Sequence, residues 1–229
     1  MLQAVVFDCD GVLADNGSSW QIIHQRFGTD DGSTPSGNNT LELFLDGKIS
    51  EEEFVKDDIR RWREVKSEIH RDEIVRCYSG ISLIDGARDV VEELQSRGIY
   101  VAIISSGVDL FVGAIAGMLR VDDWVANGFE WDDDGWLVRG LPTRVFSHNK
   151  GHMVEKLVRI NGFDASRVVC VGDSSTDLSM MIEGSKFIGF NPARSRATRA
   201  FEEAGVPIIA GKNLREIWPQ LFPGESFPT

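Results

Sequence analysis

The sequence is short of several things. Only three of its 229 residues are cysteine, Cys9, Cys77 and Cys170. An odd number at wide spacing implies neither a disulfide framework nor a zinc site. Cys9 and Cys170 sit in apolar runs, where a reduced cysteine behaves as a small hydrophobe, so a reducing cytoplasm is the expected setting. Positive charge is also scarce. Against 36 Asp and Glu stand 24 Lys and Arg, a net charge of −12 and a pI near 4.8. That balance argues against nucleic acid or an anionic membrane as partner, though not against a small anion in a locally positive site. Long hydrophobic runs are missing: no segment approaches the ~18 apolar residues of a membrane span. The N-terminal stretch MLQAVVFDCDG has no basic region and too short an apolar run for a secretory leader, so none is expected. The four histidines, His24, His70, His148 and His152, share no metal spacing. No internal repeat occurs.

Short apolar runs are plentiful: QAVVF (3–7), YVAII (100–104), RVVCVG (167–172), KFIGF (186–190) and VPIIA (206–210). They are rich in Val and Ile and do not alternate, as strands buried on both faces of a parallel sheet do. Helical spacing fills the intervals, as in GARDVVEELQSRG (86–98) and KGHMVEKLVRING (150–162). The alternation predicts an α/β fold with a doubly wound, Rossmann-like parallel sheet. Residues 16–80 break the pattern with short helical stretches and a polar loop over 29–39. A small helical cap inserted after the first strand is therefore expected over 16–80, with 1–15 and 81–229 forming the core. WVANGFEWDDDGWLVRG (124–140) reads as a hairpin turning at Asp134-Gly135.

Ligands of open α/β sheets bind beyond the carboxyl ends of the strands. Asp8 and Asp10 follow the first strand, Ser105-Ser106-Gly107 follows YVAII, and Gly172-Asp173-Ser174-Ser175-Thr176-Asp177 follows RVVCVG. Lys150 heads the helix before that last strand. Converging carboxylates cannot all stay ionised without compensation. Magnesium, which takes carboxylates together with phosphate oxygens and waters, resolves this. Such a site attracts a phosphate dianion, with Lys150, the Ser105 hydroxyl and the amides around Ser106-Gly107 as further donors. A carboxylate is a competent nucleophile towards phosphorus. Asp8, fixed at the strand end, suits that role, and Asp10 suits proton transfer to the leaving oxygen and from water.

The order FDCDGV, VAIISSG, Lys150 and VVCVGDSSTD resembles the haloacid dehalogenase superfamily of phosphotransferases. The hairpin and the stretches NPARSRATRAFEEAG and NLREIWPQL look most like its phosphoserine phosphatase-like branch. The resemblance implies an aspartyl-phosphate mechanism with Asp8 as nucleophile and Asp10 as acid and base. It implies Ser105 and Lys150 as phosphate clamps, and magnesium held by Asp8, Asp173 and the backbone carbonyl of Asp10. Asp177 would orient Lys150 or a metal-bound water. The implied partner is a small phosphorylated metabolite; no oligomeric state is implied. One departure bears on the substrate. Phosphoserine phosphatases carry a Glu shortly after the first motif, whereas GVLADNGSSW (11–20) offers only Asp15. Arg60, Arg61 and Arg63 are the candidates for a substrate carboxylate.

Two other functions suit the same motifs: a phosphomutase of the superfamily, and a catalytically silent phosphate- or partner-binding domain. Trp20 and Trp62 are expected to pack rather than to line a pocket. The run Asp132-Asp133-Asp134 is expected to be a turn rather than a calcium loop. EEEF and KDDIRRW read as a solvated helix face with local ion pairs.

Overall fold

The computed structural model describes residues 1–30 and 40–228. Most of the polar loop expected over 29–39 lies outside the described residues. The chain starts with strand β1 (Ala4–Phe7). Helices α1 (Ser19–Phe27), α2 (Thr40–Leu45), α3 (Glu51–Val65) and α4 (Arg71–Cys77) follow before α5 (Ala87–Ser96) leads into β2 (Tyr100–Val108). Next come α6 (Asp109–Leu119), β3 (Asp123–Asn127), β4 (Phe129–Trp131) and β5 (Leu137–Gly140). The chain continues through α7 (Gly151–Asn161), β6 (Val168–Gly172), β7 (Lys186–Phe190), α8 (Ser195–Ala204), β8 (Ile208–Ile209) and α9 (Trp218–Leu221).

The main sheet has the order β3-β2-β1-β6-β7-β8, and all its pairings are parallel. Alternate side chains explain why the strands read as continuous apolar runs. Val5, Phe7, Val101, Ile103, Val169 and Val171 join one buried cluster with α5, α6 and α9. Ala4, Val6, Ala102, Ile104, Val168 and Cys170 join another with α7 and α8. After β3 the chain returns to the far side of β1, so the strand order reverses between β1 and β6. The carboxyl ends of those two strands are where such a sheet opens a crevice.

The helical segment between β1 and α5 has its own buried cluster, which includes Ile23, Ile59, Trp62, Ile69 and Ile74. Phe129 of β4 and Leu137 of β5 belong to that cluster too, so the hairpin packs against the helices. Ser18 caps α1, and Gly28 ends it in the left-handed region. Ser50 and Glu53 form a capping box at the start of α3.

The structure redraws some boundaries. β3 is a strand of the main sheet, so only β4 and β5 form the hairpin expected over 124–140. DWVAN sits at the sheet edge with Asp123 and Trp124 exposed, and its apolar run, Trp124-Val125-Ala126, is shorter than those of the buried strands. β2 continues through Ser105-Gly107 to Val108, and β8 keeps only Ile208 and Ile209 of VPIIA. No helix among the described residues is long and apolar enough to cross a membrane.

Candidate active site

Asp8 stands at the end of β1 in the centre of the sheet. Its N–H donates to the Val171 carbonyl (2.9 Å), which continues the ladder to β6 and fixes the Asp8 backbone. Beyond it the chain turns sharply, with the N–H groups of Val12, Leu13 and Ala14 converging on the Cys9 carbonyl. Asp8 is buried, and its Oδ1 accepts from Lys150 Nζ at 2.7 Å. Lys150 reaches it from the start of α7, only 2 % exposed, and also donates to Asp177 Oδ1 at 2.6 Å. The two carboxylates hold the Lys150 ammonium above its usual range despite burial, which acts in the other direction.

Asp10 is placed differently. Its carboxylate accepts from the Asn16 amide and from Ser19 Oγ at 2.8 Å. Ser19 Oγ in turn accepts the Val108 N–H at 3.0 Å, which ties Asp10 to the end of β2. Burial pushes the Asp10 carboxyl up, while the Asn16 and Ser19 hydrogen bonds pull it down; burial wins. An acid held up in this way keeps a proton to give at higher pH than a solvated aspartate does.

The loop after β6 supplies the other acids. Asp177 Oδ2 accepts from the N–H groups of Asp173 (3.1 Å) and Ser174 (2.9 Å) and from Ser174 Oγ (2.7 Å). Burial alone would raise its carboxyl, but Lys150 and these donors hold it below the usual range. Asp173 has the opposite balance. Burial and repulsion from Asp177 and Asp8 push its carboxyl well up, and no hydrogen bond reaches its carboxylate among the described residues. Asp8 is pushed up to about 7, chiefly by burial, with Lys150 opposing and Asp177 and Asp10 adding repulsion.

Oxygens of Asp8, Asp173 and Asp177 lie within 4.8 Å of one another. An all-oxygen set with its charge incompletely balanced fits a hard divalent cation. The space is also prepared. Gly11 has φ 75°, and a Cβ there would fall 2.5 Å from Asp173 Oδ2. Asp177 is the least available of the three, since Lys150, Asp173 and Ser174 already occupy its oxygens.

Ser105 is buried, and its Oγ accepts the Gly107 N–H at 3.1 Å. A Cβ on Gly107 would lie 2.7 Å from Asp10 Oδ2 and 3.2 Å from Ser105 Oγ, so Ser105, Gly107 and Asp10 crowd one spot. The Ser106 carbonyl accepts from Trp20 Nε1 at 3.0 Å. Asp8, Lys150, Asp173 and Asp177 therefore form one buried charged group, and Asp10, Ser105 and Gly107 another. The two communicate electrostatically, because Asp10 raises the carboxyls of Asp8 and Asp173 and Lys150 lowers that of Asp10.

Against known proteins, the family model of haloacid dehalogenase-like hydrolases matches residues 5–181, from β1 past the loop that bears Asp177. The chain belongs to the haloacid dehalogenase-like hydrolase family. Among curated relatives, a phosphoserine phosphatase of Methanocaldococcus jannaschii is 26% identical over 214 residues, covering 93% of this chain and 94% of the relative. A phosphoserine phosphatase of Campylobacter jejuni is 26% identical over 83% of this chain and 87% of its own length. A substrate-bound phosphoserine phosphatase structure shares the fold with a TM-score of 0.76, at 22% identity over 96% of this chain and 99% of the other.

Within this family scaffold, several side chains that shape the site carry no motif signature. Asn16 and Ser19 position Asp10, and Ser179 Oγ accepts the Lys150 N–H at 3.0 Å. The three arginines expected to meet a substrate carboxylate make contacts within the helical segment and the hairpin. Asp15 is exposed. Arg60 pairs with Asp57 and Glu64, Arg61 donates to the Thr29 carbonyl, and Arg63 to the Leu137 and Val138 carbonyls. Trp62 is buried and stacks on Trp20, as packing residues do. Asp132 Oδ1 accepts from the N–H groups of Asp134 and Trp136, which makes the acidic run a turn. A cleft of about 1020 Å³ runs along α3 to Asn127, and none of Asp8, Asp10, Asp173 and Asp177 lines it.

Proposed function

We propose that this chain is a magnesium-dependent phosphomonoesterase acting on a small phosphorylated metabolite through an aspartyl-phosphate intermediate. The observation that carries the reading is the buried contact of Asp8 with Lys150, 2.7 Å apart, beside an under-neutralised Asp173. Lys150 draws the Asp8 carboxyl towards its ionised form, against burial that favours the proton. An Asp8 oxygen then attacks phosphorus, and the bond from phosphorus to the ester oxygen breaks. Asp10 delivers its proton to that leaving oxygen. In the second step water attacks the phosphorus of the aspartyl-phosphate, Asp10 takes the water proton, and orthophosphate leaves with Asp8 restored. Lys150, the Ser105 hydroxyl and the amides at Ser106-Gly107 hold the remaining phosphoryl oxygens as charge shifts. Magnesium bound by Asp8, Asp173 and the Asp10 carbonyl, with Asp177 bracing Lys150, would neutralise phosphoryl charge.

The helical segment over 16–80 serves as a cap on this site in the same reading, with the β4–β5 hairpin packed beneath its helices. Phosphoserine is the first substrate to test, because relatives covering nearly the whole chain are phosphoserine phosphatases. The deciding experiment is a panel of phosphorylated metabolites, phosphoserine included, assayed for free phosphate with magnesium and with chelator. Phosphate release that needs magnesium supports the reading. An isomerised sugar phosphate without free phosphate would assign a phosphomutase instead, and failure to turn over any ester would leave a phosphate-binding domain.

A further inference from the structure

The turn that carries Lys150 is gripped from the far side by the helical segment. Glu51, the first residue of α3, accepts Ser147 Oγ–H at 2.6 Å through Oε1 and Ser147 N–H at 3.1 Å through Oε2. Ser147 is buried and stands three residues before Lys150. The Ser179 hydroxyl then joins the two, lying 3.1 Å from the Ser147 carbonyl and 3.0 Å from the Lys150 backbone nitrogen. α2 adds a contact on the same turn, the Phe44 carbonyl facing His148 Nε2 at 3.1 Å.

Glu51 is not needed to start α3, because Ser50 and Glu53 already make the capping box. Burial pushes its carboxyl up, and the two Ser147 hydrogen bonds act against that shift. A half-buried carboxylate spent on one turn is costly unless the turn must be held. Lys150 gives the reason. Its ammonium must sit within hydrogen-bond reach of Asp8, and small displacements of positioning groups cost rate steeply.

We propose that Glu51 is a positioning residue for the phosphate-binding end of the site. By holding Ser147 it fixes the turn that presents Lys150, and it makes that placement depend on α3 being seated. The proposal rests on the reading of Lys150 as a phosphate clamp.

The test uses the full chain with magnesium, para-nitrophenyl phosphate as substrate and orthophosphate as inhibitor, together with amide hydrogen exchange at Ser147. Glu51→Ala should lower kcat/KM by roughly 10- to 100-fold, weaken orthophosphate inhibition in parallel, and speed Ser147 exchange. Glu51→Gln still accepts the Ser147 N–H and should recover most of the loss. Added to Lys150→Ala, Glu51→Ala should cost little more, because the two act as one unit. Wild-type kinetics and unchanged Ser147 exchange in Glu51→Ala would overturn the proposal. So would a Glu51→Gln chain as impaired as Glu51→Ala with Ser147 still protected, since the charge would then act on substrate directly. A wild-type chain that hydrolyses no ester would defeat the phosphatase reading alone. Ser147 exchange in Glu51→Ala would still decide whether Glu51 holds the turn.

Discussion

Lys150 Nζ and Asp8 Oδ1 lie 2.7 Å apart, joining two buried residues 142 positions distant in the chain. The contact opposes burial, which favours the proton on the nucleophile. Asp8→Asn keeps the shape and an acceptor for Lys150 but has no carboxylate to form an acyl phosphate. Turnover should fall by on the order of 10³-fold or more. The fold should persist, because asparagine resembles the protonated acid that burial favours at this position. Phosphate release and a melting curve on the same preparation check both halves. Full activity in Asp8→Asn would end the mechanism.

The same burial makes stability without cation depend on pH in a set direction. Asp8 is held up to about 7, against 3.8 for the unfolded chain. Between those values the folded protein holds a proton that the unfolded chain has lost. The contribution of Asp8 to stability is therefore present on the acid side and is lost as pH rises through the folded value. Asp173, also raised, acts in the same direction. In chelator, the melting temperature of the wild type relative to Asp8→Asn should fall as pH rises from about 5 to about 8. Magnesium should recover it most at the upper end, where the ionised carboxylates bind the ion. A thermal shift series over pH, with and without magnesium, reads this. A magnesium effect equally large at low pH would count against the cation site.

Gly11 tests the room left for that site. It combines φ 75° with a Cβ position 2.5 Å from Asp173 Oδ2. Gly11→Ala must strain the backbone by roughly 1–2 kcal/mol and displace the Asp173 carboxylate. Magnesium affinity, measured by titration calorimetry, should drop more than stability does. Unchanged affinity would show that Asp173 is not a ligand.

Much of the site is legible from sequence because its chemistry sits on short contiguous runs. FDCDGV and VVCVGD each place acids at the end of a buried strand, and the order of the motifs carries the rest. Glu51 escapes that reading. It begins a run of three glutamates, and only the packing of α3 on the turn before Lys150 separates it from its solvated neighbours. Asp58 escapes likewise. In KDDIRRW it looks like Asp57, which pairs with Arg60 at the surface, but it lies on the face of α3 turned to the cluster around Trp62. Edge strand β3 reads as one arm of the hairpin because its apolar run is only Trp124-Val125-Ala126, between Asp123 and Asn127. In each case the missing information is which side of an element faces inward, and tertiary contacts set that.

Asp58 anchors a polar network inside the helical segment. His24 Nε2 lies 3.0 Å from Asp58 Oδ1, and Trp62 Nε1 donates to His24 Nδ1 at 3.2 Å. An indole N–H can only donate, so Nδ1 of His24 is the acceptor and its Nε2–H faces Asp58. Thr29 Oγ1 lies 2.7 Å from the same Nδ1 and extends the network to the residue after the α1 cap. Asp58→Ala removes the acceptor and leaves the buried Nε2–H of His24 without one, so stability should fall by about 2–3 kcal/mol. Trp62→Phe removes only the donated hydrogen bond and some area, and should cost less, about 1–2 kcal/mol. Urea unfolding gives both numbers. The loss in Asp58→Ala should fall on the folding of α1 and α3; while α3 stays seated, Glu51 still holds the Ser147 turn and the Asp8–Lys150 contact stays in place. Orthophosphate affinity well below the unfolding transition should therefore stay near wild type. If affinity falls together with stability, loosening of α3 reaches the Ser147 turn through Glu51 before the chain unfolds.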